Sequence, residues 1–97
     1  MLNSKQKRQL KSLAQTLKQH YQLGKKEITD TVVDVLDKAL EAHELIKVDV
    51  KKNPETPLMN IALDLSLRLN ADIVQIIGNV IVLYRRNKEN PKIVLVK

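Results

Sequence analysis

Between Ile73 and Arg86 the chain reads IVQIIGNVIVLYRR, two apolar runs that meet at Gly78-Asn79. Glycine enters positive φ without a Cβ clash and asparagine tolerates it, so the pattern predicts a β-hairpin with a two-residue primed turn. That turn fixes a register. Ile77 then faces Val80, Ile76 faces Ile81, Val74 faces Leu83, and Asp72 lies opposite Arg85. Alternation puts Val74, Ile76, Ile81 and Leu83 on a core face and Gln75, Val82 and Tyr84 on the other.

Three helical patterns precede the hairpin. Ser4 is placed to cap a first helix from Lys5 to about His20, with Leu10, Leu13, Ala14, Leu17 and Tyr21 as its apolar positions. Thr29 caps a second, with Ile28 stapling onto Val33 and Val32, Leu36, Ala39 and Leu40 facing inward; it ends near His43 or Glu44. In a third, Thr56 caps, Pro57 takes the first helical position, Leu58, Ile61, Ala62, Leu65 and Leu69 form the stripe, and Asn70 stops it. Tyr21 to Leu23 reads as a short strand. Leu45 to Lys51 reads as a half-buried strand with a charged second face, and Ile93 to Val96 can add a last edge strand. The resulting order, α-β-α-β-α-β-β, implies one compact domain over residues 1–97, a two-layer α/β sandwich containing a right-handed crossover.

Charge changes this picture because it is segregated. Residues 1–26 hold seven cations, Lys5, Lys7, Arg8, Lys11, Lys18, Lys25 and Lys26, and no acid. Residues 27–64 hold nine acids against four lysines, and residues 65–97 hold six cations, including Arg85-Arg86, against two acids. At about 100° per residue, Lys7, Lys11 and Lys18 share one sector of the first helix. Exposed helix faces usually interleave acids for i,i+4 pairing, and their absence favours a polyanion such as nucleic acid.

Candidate chemistry is sparse. No cysteine is present, so disulfides and thiolate ligands are excluded. His20 and His43 stand apart from any triad or metal-ligand spacing, and Gly24 and Gly78 are too few for a nucleotide loop. We therefore expect no catalytic residue, metal, cofactor or small-molecule substrate. No membrane span or leader is evident, and the expectation is a cytoplasmic monomer. With only Tyr21 and Tyr84 aromatic, stacking platforms for single-stranded bases are missing, which leaves a reader of the phosphate backbone. The alternative is a protein-interaction or regulatory module acting through Asp34, Asp37 and Glu41 on the second helix.

Four stretches together, LNSKQKRQLKSLAQ, the Gly24 turn, ALEAHELIKV at residues 39–48 and VQIIGNVIVLYR at 74–85, closely resemble the CRM domain in its stand-alone bacterial YhbY-like form. The name stands for chloroplast RNA splicing and ribosome maturation. The resemblance implies a fold similar to the C-terminal domain of bacterial translation initiation factor three. It also implies RNA binding without catalysis, on ribosomal RNA of large-subunit precursors. Plant members of the family carry a GxxG loop as an RNA contact. The matching positions are Gly78-Asn79-Val80-Ile81, where the second glycine is absent. The RNA-binding set expected is Lys5, Lys7, Arg8, Lys11, Lys18, Lys25, Lys26, Lys47, Arg85 and Arg86, with Gly78 and Asn79 at the hairpin tip.

Overall fold

The computed structural model describes residues 2–17, 20–23, 28–51 and 57–96. Asn3, not Ser4, caps the first helix, α1 (Ser4–Thr16): its side chain accepts from the Gln6 N–H while Gln6 reaches back to the Asn3 N–H, a complete capping box. The helix stops at Thr16, short of the expected His20, because Leu17 is already extended (φ −73°, ψ 125°) and leads into β1 (Tyr21–Leu23). Thr29 caps α2 (Asp30–His43) through a 3.2 Å bond from Val32 N. The strand β2 (Leu45–Val50) follows. Pro57 immediately precedes α3 (Leu58–Leu69), its carbonyl accepting the first helical bonds, and Asn70 ends that helix in the left-handed conformation (φ 53°). The hairpin strands are β3 (Asp72–Ile77) and β4 (Val80–Tyr84). The expected Thr56 cap lies outside the described residues.

The sheet order is β1-β2-β4-β3, with β1 parallel to β2 and the other pairs antiparallel. The expected α/β order therefore stands, and α2 forms the crossover between the two parallel strands. On one face α2 and α3 bury Leu36, Leu40, Leu65 and Leu69 against Ile46, Val48, Ile81 and Leu83. The second face is covered as well: α1 packs Leu10 and Ala14 onto Leu45, Val74, Val82 and Tyr84. The sandwich thus carries helices on both sides of its sheet. Deleting most of a buried leucine such as Leu10 costs roughly 2–5 kcal/mol, so α1 is integral to the fold.

Near the turn the hairpin register is as expected, Ile77 with Val80 and Ile76 with Ile81. It then slips by one residue. A bulge between Ile73 and Gln75 pairs Ile73 with Leu83 and Asp72 with Tyr84, and it moves Val74 out of the α2/α3 core to the face under α1. Arg85 consequently has no strand partner in Asp72; its backbone N–H donates to the Glu44 carbonyl. In the turn Gly78 takes φ +56° and Asn79 does not enter positive φ, a sign pattern of type II′. The Asn79 carbonyl accepts from Val50 N at 2.8 Å, which ties the tip to the end of β2.

The residues from Ile93 to Val96 do not join the sheet. They lie along α1, where the Gln6 side chain donates to the Val96 carbonyl and Gln9 both donates to the Val94 carbonyl and accepts from Val96 N. Two glutamine side chains thus supply the hydrogen bonding that a neighbouring strand would have given, while Ile93 and Leu95 pack on the α1-side core. Upstream, Glu44 anchors the segment. This residue ends α2 with φ 65°, is 0 % exposed, and its carboxylate accepts from the backbone N–H groups of Asn87, Lys92 and Ile93.

Candidate nucleic-acid interface

The α1 side of the sheet gathers much of the predicted basic set. Lys5, Lys7 and Arg8 are exposed on the helix, and Lys11, four residues on from Lys7, is half-buried where the helix meets the sheet. Across from it Lys47 projects from β2 on the same sheet face, and its ammonium donates to the Leu17 carbonyl at 2.6 Å. That carbonyl belongs to the residue that caps the end of α1, so a lysine on the sheet meets a backbone acceptor that the helix leaves open. Among the described residues none of the α1 cations forms an ion pair.

Between α1 and the hairpin lies a groove of about 180 Å³. Ala14, Ile77, Val80 and Val82 make its apolar floor, and Lys11, Gln15, His20, Lys47 and Gln75 supply its polar lining. The groove therefore reaches the base of the hairpin tip, where Ile77 and Val80 flank Gly78 and Asn79, both exposed. A Cβ built on Gly78 would meet nothing within 4 Å, so only its φ calls for glycine, and the tip is open to an approaching ligand. Among the described residues no carboxylate lines the groove.

Arg85 goes elsewhere. Its guanidinium donates to Asp37 Oδ1 (2.6 Å), the Asp37 carbonyl (3.0 Å), Glu41 Oε2 (3.3 Å) and the Leu69 carbonyl (2.9 Å), and its side chain is only 18 % exposed. It is a clamp between α2, α3 and the end of β4, set apart from the basic helix by the sheet. Arg86 is exposed. Lys18, Lys25 and Lys26 lie outside the described residues. Three of the four acidic positions of α2 are engaged in the same way: Asp37 and Glu41 hold Arg85, and Asp34 pairs with Lys38 at 3.2 Å.

The sequence reading missed Glu44 and the groove residues Gln15 and Gln75. Nothing in the sequence marks Glu44, whose burial depends on a tail more than forty residues downstream. Tyr84, 3 % exposed beneath α1, has a hydroxyl with no hydrogen-bond partner among the described residues. Burial raises its phenol above the ordinary 10.0; the charges of Glu44 and Asp72 push the same way, and Arg86 partly opposes them.

Taken together, the fold and its charge placement define a small α/β protein with a grooved face beside the cationic helix α1 and an opposite face on which Asp34, Asp37, Glu41 and Asp64 are held in ion pairs. The chain belongs to the CRS1 / YhbY (CRM) domain family, which matches residues 2–85. It is 44 % identical over 95 residues to a Bacillus subtilis protein named Probable RNA-binding protein YqeI, an alignment covering 98 % of this chain and 99 % of the relative. A Haemophilus influenzae protein named RNA-binding protein is 38 % identical over 88 residues, covering 91 % of this chain and 89 % of the relative. A Staphylococcus aureus protein whose structure was determined in solution superposes with a TM-score of 0.81 at 41 % identity, covering 99 % of this chain and 100 % of the other.

Proposed function

We propose that the protein is an RNA-binding factor in ribosome assembly, docking on ribosomal RNA of the large-subunit precursor chiefly through phosphate contacts. The observation that carries the reading is the α1 side of the sheet. Lys5, Lys7, Arg8 and Lys11 lie on one helix with no acid among its residues, beside an open hairpin tip and Lys47. Each such cation neutralises a phosphate and releases a condensed counterion, which makes binding strong at low salt and independent of sequence. The names of the relatives support RNA over DNA as the polyanion.

In this reading the chain is a single RNA-binding domain, a cytoplasmic monomer that works by occupancy and performs no catalysis. It departs when maturation covers or reshapes its site. Lys5, Lys7, Arg8, Lys11, Lys47, Gly78 and Asn79 form the described part of the surface, with Arg86 at its edge. Arg85 is withdrawn to a structural role on the other face. Sedimentation of the tagged protein from gently lysed cells is the test, at low and at high salt. Comigration with free or precursor large subunits that is lost at high salt is the expected result. A protein that stays at the top of the gradient at low salt overturns the ribosomal assignment.

A further inference from the structure

We propose that the groove between α1 and the hairpin is a nucleobase pocket, taking one unstacked base of an RNA while Lys11 and Lys47 meet the flanking phosphates. The proposal rests on the RNA-binding reading and adds a readout that phosphate docking does not supply. Phosphate contacts need exposed cations only, and the α1 ridge already provides them. The groove adds three features that they do not use.

The first is an apolar floor. Ala14, Ile77, Val80 and Val82 line it, and Ile77 is left 55 % exposed at the edge of the sheet. The second is a pair of primary amides, Gln15 from the helix and Gln75 from β3, in the same lining. An amide offers both donors and an acceptor, the complement that the edge of a base requires. The third is the imidazole of His20, exposed just before β1 and planar, a ring on which a base can stack. The volume selects the occupant: about 180 Å³ is below the roughly 300–1,000 Å³ of drug-sized sites, suiting one ring system with its sugar and phosphates outside. Charge selects it too, because the charged side chains of the lining among the described residues are lysines. Where the scarcity of aromatic residues argued against base capture, the structure offers aliphatic side chains, amides and one imidazole instead.

The test uses the full chain and RNA hairpins identical except at one bulged position, which carries each of the four bases in turn or is abasic. Affinity is measured by fluorescence anisotropy, with the methyl resonances of Val80 and Val82 followed by NMR. At least one base should bind about tenfold more tightly than the abasic hairpin, the scale of a single stacked base. Those methyls should shift only with the base present. His20→Ala and Ile77→Ser, both at exposed positions, should erase the preference and leave the salt dependence intact. Equal binding of all five hairpins with steep salt dependence overturns the pocket and leaves phosphate docking standing. A base preference that survives both variants without methyl shifts also overturns it, placing the base elsewhere. Failure of every hairpin to bind at low salt overturns the RNA reading and the pocket together.

Discussion

The Lys47 ammonium donates to the Leu17 carbonyl at 2.6 Å, so a single side chain both caps the end of α1 and lines the groove. Lys47→Met keeps most of the aliphatic stem and removes the charge-assisted bond. The expected cost is about 1.5–3 kcal/mol of stability, read from urea denaturation. If the native ammonium also meets a phosphate in the complex, its removal should lower the slope of log affinity against log salt by about 1.

Charge reversal on the ridge separates binding from folding. Lys7→Glu with Lys11→Glu leaves the Leu10 and Ala14 contacts in place, so the melting temperature should change little. RNA affinity at low salt should drop at least tenfold. For the native protein, if about six phosphates are neutralised, affinity should fall by about 10³ between roughly 50 and 200 mM salt. Filter binding across a salt series checks both.

Glu44→Gln tests the anchor of the tail. A glutamine in that pocket keeps the shape but loses the charge, and it brings an NH₂ toward backbone N–H groups that need an acceptor. A loss of about 1–3 kcal/mol is expected. Hydrogen exchange should show the amides of Asn87, Lys92 and Ile93 losing protection ahead of the sheet.

Tyr84 gives the alkaline behaviour its sign. Its phenol titrates higher in the folded protein than in the unfolded chain, chiefly through burial, so the unfolded state loses the proton first. The stabilising difference is whole below the ordinary value of 10.0 and is lost as pH rises through and above it. Tyr84→Phe removes this dependence, and because the hydroxyl has no partner among the described residues, the substitution should be neutral or stabilising at pH near 7. Thermal melts across neutral and alkaline pH, native against variant, decide it.

At the hairpin tip, Gly78→Ala should cost about 1 kcal/mol, because an L-residue at φ +56° is strained although the space around it is open. Thermal denaturation reads that cost directly. A larger loss of RNA affinity than of stability would put the tip in contact with the ligand.

Local chemistry in the sequence made some of this legible and some not. Thr29 before an apolar stripe, Asn70 after one, and Gly78-Asn79 between two β-branched runs each announce their geometry through their own side chain and backbone. The bulge at Val74 has no such local sign. It follows from the need to satisfy two cores, with Val74 and Gln75 both turned to the α1 side of the sheet. Alternation alone cannot foresee that, nor that α1 would claim the second face. The same limit applies to the tail. Residues 93–96 carry strand-like composition, yet Gln6 and Gln9, some ninety residues away, compete successfully for their backbone groups. Arg85 reads as a surface cation in the sequence because its acceptors, Asp37 and Glu41, are close only after folding.

The sheet that divides the two cores also divides the molecule electrically. The described cations of α1 form no ion pair among the described residues, whereas Lys38, Arg68 and Arg85 on the far side are each matched by a carboxylate. Unpaired positive charge is therefore weighted toward the helix α1, and in the field of a polyanion such an asymmetry turns a protein before it touches. Orientation, usually the slow part of finding a partner, is settled during approach, so this arrangement acts on the rate of encounter as well as on the strength of the complex.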